Sequence, residues 1–440
     1  MTSRRKSAVP AFAGWLVLGI LLWQPARASG HLLPQADGQR HLGVASCAGS
    51  LCHGAAEPQS GSDILQNEYL TWHRDDRHAE AWSVLLGKRS RAIGRKLGIA
   101  HPEQSDRCLG CHSDAVPANL RGKRFQVSDG IGCEACHGGA EHWIDSHTDP
   151  KSDYASDVAR GMYPTADPTM RARLCVSCHY SQPASPMSHE IMAAGHPPLL
   201  FELDTFTTLQ PAHFRVDADY RRRKPAASHL TTWLTGQAVL AASMMDHWPG
   251  APRAGKGESG FPEFYPYNCY ACHHNMFASG WAGLEQRITP VSGRIPLADA
   301  PLRMIADAGD VLASRSAADL RQALVVLHAR GRPGDDLPSR MLSDVAQILG
   351  NAQDRSDGTA NRRIVLALID RMQGGDFADP LSDQQALMAL EALLPGIPST
   401  PAQSANRRHL LDTLYAQFSR PDSFSAWRFR HALQALRATF

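Results

Sequence analysis

Every cysteine of this chain lies in a short unit that ends in histidine, and this pattern constrains the fold more than any other feature. Four units read Cys-x-x-Cys-His: Cys108-Cys111-His112, Cys133-Cys136-His137, Cys175-Cys178-His179 and Cys269-Cys272-His273. The fifth is Cys47-Ala-Gly-Ser-Leu-Cys52-His53, with four residues between the cysteines. An even number of cysteines in an exported chain would ordinarily suggest disulfides. Structural zinc pairs and thioredoxin-type redox pairs also use Cys-x-x-Cys. Neither has a reason to place histidine after the second cysteine each time. Haem c attachment does. Two nearby thiols form thioethers with the vinyl groups, and the adjacent histidine lies under the iron as its proximal ligand. A two-residue gap suits one helical turn, and a four-residue gap needs a looser loop. The sequence therefore predicts five covalently attached haem c groups, with His53, His112, His137, His179 and His273 as proximal ligands.

The N-terminus agrees with this chemistry, which in bacteria is completed outside the cytoplasm. Arg4, Arg5 and Lys6 precede an apolar run from Phe12 to Trp23, and Ala26-Arg27-Ala28 forms a small-x-small cleavage site. The run spans roughly 14 residues, short of the ~20 needed to cross a bilayer, so the reading is a signal peptide over 1–28 rather than an anchor. Export then predicts a periplasmic protein. The formal net charge of +2 gives no bias toward nucleic acid, and no second segment could span a membrane.

Histidines follow the cysteines. Eighteen of the 21 lie before residue 275, and only His328, His409 and His431 lie after. Low-spin electron-transfer haems need a second ligand on the far face of the iron. A residue beside a proximal histidine cannot reach that face of the same haem, which counts against His274 for the haem of His273. His142, five residues after His137, is likewise too close for its own haem but placed to cap a neighbour. The candidates are His78, His142, His189, His196 and His213, with His73 and His147 in reserve and Met187 and Met192 as alternative ligands. His189 and His196 share a face if their stretch is helical, with Gly195 and Pro197 as its natural end.

The expected fold is mainly α with extensive loops: a multihaem cytochrome c domain over 29–284, then a haem-free α-helical domain over 285–440. The attachment units are irregularly spaced, so the chain is no solenoid. Residues 76–87 read as one helix, with Ala79, Trp82, Leu85 and Leu86 on its apolar side, and 229–247 as another. Beyond Pro301 seven helical patterns follow: 302–313, 318–329, 340–349, 362–372, 384–394, 408–418 and 424–436. Breakers such as Gly331-Arg-Pro333 and Pro395-Gly-Ile-Pro398 separate them. This tail reads as a cap on the last haem or as a docking platform. It holds no attachment residue, so a chain ending near residue 290 is expected to keep all five haems.

Three segments resemble one family: Asp76-Arg-His78-Ala-Glu-Ala-Trp82, Cys133-Glu-Ala-Cys-His-Gly-Gly-Ala-Glu-His142-Trp and His189-Glu-Ile-Met-Ala-Ala-Gly-His196-Pro. They resemble the multihaem cytochromes built like the tetrahaem carrier that accepts electrons from hydroxylamine oxidoreductase. The likeness covers roughly 45–280 and implies electron transfer between redox proteins, a membrane quinol-linked complex among the candidate partners. The chain departs from that pattern in its five units, its widened first unit and its helical tail. The rival function is an oxidoreductase acting on a small nitrogen or sulfur compound at one open-faced haem. The Cys-x-x-Cys-Lys unit of pentahaem nitrite reductases is missing, which favours the carrier.

Overall fold

A computed structural model describes residues 31–60, 64–180, 187–224, 227–248, 264–273, 295–331, 334, 336–353, 358–377, 379–419 and 424–440. The expected signal peptide and His274 lie outside them. Among the described residues the regular structure is helical, with isolated β-bridges at His41–Arg121 and Tyr267–Leu297 and no strand. None of these helices is long and apolar enough to cross a membrane.

The first half is built of short helices joined by 3₁₀ turns and loops. Attachment units close several of the helices, so the cysteines stand on a last helical turn. Pro168–His179 is the clearest case. Proline sits in its first turn, and the Asp167 carboxylate accepts hydrogen bonds from the Thr169 and Met170 amides at 2.7 and 3.1 Å. The helix then runs straight into Cys175, Cys178 and His179.

The single helix expected over 76–87 is absent. Its place is taken by two 3₁₀ turns, Arg77–Glu80 and Ser83–Leu86. Long-range hydrogen bonds explain the break. The Ile131 amide donates to the His78 carbonyl, and His112 Nδ1 donates to the Ala81 carbonyl at 2.8 Å. Carbonyls claimed from outside do not continue an i→i−4 ladder. Leu85 is buried as expected, but Leu86 is 39% exposed.

The second expected helix is present as His229–Met245, capped by the Ser228 hydroxyl, and it is the hub of the molecule. Leu240 and Met244 pack with Ala172 and Val176 of the fourth attachment helix. Leu230, Trp233, Leu234, Ala241 and Met245 join the large apolar core of the C-terminal helices. Gly236 lets the helix Leu203–Leu209 approach closely, since a Cβ there would meet the Leu203 Cβ at 2.5 Å.

All seven C-terminal helices are present: Ala300–Leu312, Ser314–Arg330, Leu337–Gln353, Gly358–Gly374, Pro380–Leu393, Pro401–Tyr415 and Ala426–Arg437. Most start earlier than their apolar periodicity does, and in two of them a side-chain cap marks the early start. Asp379 caps Pro380–Leu393, and Thr400 and Gln403 form a reciprocal capping box on Pro401–Tyr415. The core of this region does not stop at residue 285. It reaches back to Leu230, and hydrogen bonds cross the expected boundary: Gln385 Nε2 to the Phe201 carbonyl at 2.6 Å, and Asn268 Nδ2 to Asp379 Oδ2 at 2.7 Å. Asn268 directly precedes Cys269. The tail therefore packs on the fifth attachment unit, and a chain ending near 290 would lose that packing. Such a chain should carry at most four haems by intact mass. Five retained haems would show that the tail is dispensable.

Candidate haem centres

Each of the five histidines expected as proximal ligands faces a second histidine ring. His53 faces His147 with ring centroids 6.2 Å apart, His179 faces His78 at 6.1 Å, and His112 faces His196 at 6.4 Å. His137 faces His213 at 6.3 Å, and His273 faces His189 at 6.1 Å. Metal–imidazole bonds are ~2 Å long, so two imidazoles on opposite faces of one iron put their centroids about 6 Å apart. The five separations match that spacing and exceed direct ring contact. The partners are far apart in sequence, as ligands from opposite faces must be.

Four of the five expected distal residues, His78, His189, His196 and His213, stand opposite a proximal ring. His142 does not. It ends the 3₁₀ turn Ala140–His142 with its side chain exposed and makes no ring contact among the described residues. Its neighbour Trp143 is buried, and His147, one short turn on, lays its ring edge against that indole at 5.4 Å. The turn thus directs His147 inward and His142 outward. The helix from His189 ends at Ala194, with Gly195 as its stop in a left-handed conformation with φ +114°, so the two histidines do not share one helical face. His196 therefore leaves the helix axis and faces a different proximal ring from His189.

Several rings are held so that Nε2 is left free. Nδ1 of His53 bonds Glu68 Oε2 at 2.9 Å, and Nδ1 of His78 bonds Asp76 Oδ1 at 2.9 Å. Nδ1 of His112, His147 and His196 reaches the carbonyls of Ala81, Ile144 and Pro197 at 2.8, 2.5 and 2.8 Å. A fixed Nδ1–H sets the tautomer, orients the ring and makes Nε2 a better metal donor. Burial acts on Asp76 against ionisation, but hydrogen bonds from His78 outweigh it and hold the carboxyl down to about 2. Burial pushes His137 down to about 3 and His179 down to about 4, so both rings are neutral, the form a metal requires. Glu68 was not foreseen, because a carboxylate fifteen residues after its histidine carries no local signal, whereas Asp76, two residues before His78, stood in a quoted segment but was given no role. Glu134 was also missed. Its buried carboxylate accepts from the Leu42, Gly43 and Ala140 amides at 2.7–2.8 Å and ties the N-terminal segment to the third unit. His41, 0% exposed, has both ring nitrogens engaged, by Asp114 and the Pro34 carbonyl, and is structural.

Attachment sulfurs meet across units. Cys47 touches Cys133, and Cys111 touches Cys178. Cys136 lies within electrostatic reach of Cys175 and Cys178, and Cys269 lines one cavity with Tyr180, which follows His179. The five units therefore form one connected cluster. The fifth borders a cavity lined by Tyr180, Met187, Met192, Tyr265, Cys269 and Asp379 among others. The buried hydroxyl of Tyr180 and the buried Nε2 of His247, whose ring is 6.1 Å from Tyr180, lack hydrogen-bond partners. The Tyr180 hydroxyl can donate there to a carboxylate of a macrocycle, whereas His247, whose Nδ1–H is given to the Ser243 carbonyl, keeps Nε2 as an acceptor. Met187 and Met192 line this cavity, while His189 occupies the position facing His273.

Residues 47–138 match the family described as cytochrome c554 and c-prime. The matched stretch holds the first three attachment units and is less than a quarter of the chain. No curated protein and no solved structure matches the chain. Match and donor set together support a c-type cytochrome that holds haem covalently and carries electrons.

The pairing of His53 with His147 can be tested by substitution. His147→Ala should open one iron of the loaded protein, giving a high-spin, carbon-monoxide-binding haem after reduction, whereas His142→Ala should leave the spectrum unchanged. The reverse result would restore His142 as the ligand.

Proposed function

We propose that the chain is an exported, periplasmic pentahaem cytochrome that passes electrons between redox proteins. The observation that carries this reading is the set of five opposed histidine pairs, each anchored by a cysteine unit. The haems would be held by Cys47 and Cys52, Cys108 and Cys111, Cys133 and Cys136, Cys175 and Cys178, and Cys269 and Cys272. Each bound haem supplies one-electron chemistry between ferric and ferrous iron. The chain's own residues do the rest. Paired imidazoles would hold each haem iron from both sides and leave no face for a substrate, which disfavours the oxidoreductase reading. Glu68 and Asp76 strengthen their histidines as donors and so favour the ferric state at those two sites. Apolar packing from Phe201 and Phe206 against His179 keeps water from the middle of the cluster. Contact between attachment sulfurs keeps neighbouring sites close, as a chain of one-electron transfers needs. Resemblance to the carriers linked to hydroxylamine oxidoreductase names one class of donor to test first, and a membrane quinol-linked complex names another.

The test is intact mass. Protein made with a haem c maturation system should start at or within a few residues of Ser29 and carry five haem masses. Recovery with zinc and free thiols, or with Met1 intact in a membrane fraction, would overturn the corresponding part of this reading.

A further inference from the structure

The segment 81–101 contains no acidic residue and five cations, and all five stand on one exposed helix. Lys88, Arg89, Arg91, Arg95 and Lys96 occupy the helix Lys88–Lys96 and are exposed. Its other side faces the protein. Gly94 is buried where a Cβ would meet the Ile99 carbonyl at 2.7 Å and Pro102 Cγ at 2.8 Å, and Ile93 is half-buried. None of the five cations makes an ion pair among the described residues. Glu103, whose carboxylate also accepts from His101, is the acid whose field reaches Arg91. Beside them the turn Ser83–Leu86 exposes two apolar side chains, Val84 at 48% and Leu86 at 39%. A small apolar centre edged by unpaired like charges suits a transient partner more than an obligate one.

The patch is tied to one particular site. The Ala81 carbonyl, two residues before this turn, accepts the Nδ1–H of His112 at 2.8 Å. Arg89 Nη2 donates to the Gly195 carbonyl at 3.0 Å, directly before His196. The two rings that face each other at 6.4 Å are thus both fixed to the segment that carries the patch. We propose that this surface is the docking site for an acidic redox protein, and that electrons enter or leave the chain at the His112–His196 site. The proposal rests on the carrier reading above. Seven positions, Val84, Leu86 and the five cations, supply the contact. Their closeness to a redox site favours a protein partner over an anionic lipid surface.

The probe is an acidic flavodoxin, used with the full haem-loaded protein. Its hydroquinone gives up one electron, becoming the semiquinone, as one ferric haem becomes ferrous. Three positions are reversed together, Arg91→Glu, Arg95→Glu and Lys96→Glu. At low salt this variant should lose on the order of 10-fold in second-order reduction rate, and the loss should vanish near 0.3 M salt, where the Debye length is only a few ångströms (~6 Å). Calorimetric titration with oxidised flavodoxin should show a matching loss of affinity, independent of any turnover. Reversal at exposed, unpaired Arg315, Arg363 and Arg408 in the C-terminal helices should change neither quantity. Dithionite should reduce every variant fully. Failure there would strike the carrier reading, whereas full reduction with unchanged flavodoxin rate and affinity would overturn the docking site alone. Cosedimentation with phosphatidylglycerol vesicles, lost on reversal while flavodoxin binding is kept, would also overturn it.

Discussion

The opposed histidine pairs are the constraint on which the rest of this structure depends. A ring spacing near 6 Å must be met five times, between residues from distant parts of the chain. Meeting it explains why the first half has so little regular structure. Long helices would carry ligands past their positions, whereas short helices and 3₁₀ turns let each ring be aimed separately. The broken segment at 76–87 shows the trade. It gives up an unbroken helical ladder, and the carbonyls of His78 and Ala81 instead bond Ile131 and His112, fixing a distal and a proximal ring at once.

Where ligand geometry takes the place of a helix-built core, apolar packing must come from elsewhere. The helix His229–Met245 supplies it by joining two clusters, one under the fourth attachment unit and one inside the C-terminal helices. The fifth unit benefits most. Its segment is bonded to Asp379, and its cavity is closed by Asp379, Leu381 and Gln385. A haem-free region can thus be part of a haem site, because what a buried macrocycle needs beyond its ligands is a dry wall.

Local chemistry was legible in the sequence and long-range chemistry was not. Thioether attachment requires residues adjacent in the chain, so the five cysteine–histidine units stand out unaided as candidates, and each of their histidines faces a second ring. The seven C-terminal helices were legible too, since an apolar stripe repeats every turn, though most begin before that stripe does. Distal ligands have no such local rule. His78, His196 and His213 could be proposed from the supply of histidines, but the choice between His142 and His147 depends on a turn that buries Trp143. The same limit hid Glu68 and Glu134, whose partners lie elsewhere in the chain, whereas Asp76 stands only two residues before His78 and was missed as a local pair. The division at residue 285 followed the disappearance of cysteine, whereas the apolar core follows burial and runs back to Leu230.

Electron paramagnetic resonance of the fully oxidised, haem-loaded protein tests the central claim most directly. Relative ring orientation sets the splitting of the iron d orbitals, so it shapes the signal of each site. The His78–His179, His112–His196 and His137–His213 planes are nearly perpendicular at 83°, 79° and 88°, while His53 and His147 are nearly parallel at 10°. The account predicts low-spin iron throughout, with strongly axial, large-g signals from the three perpendicular pairs and an ordinary rhombic signal from the parallel one. A high-spin signal amounting to a whole iron, shifting when nitrite, hydroxylamine or sulfite is added, would contradict it and mark an open catalytic site.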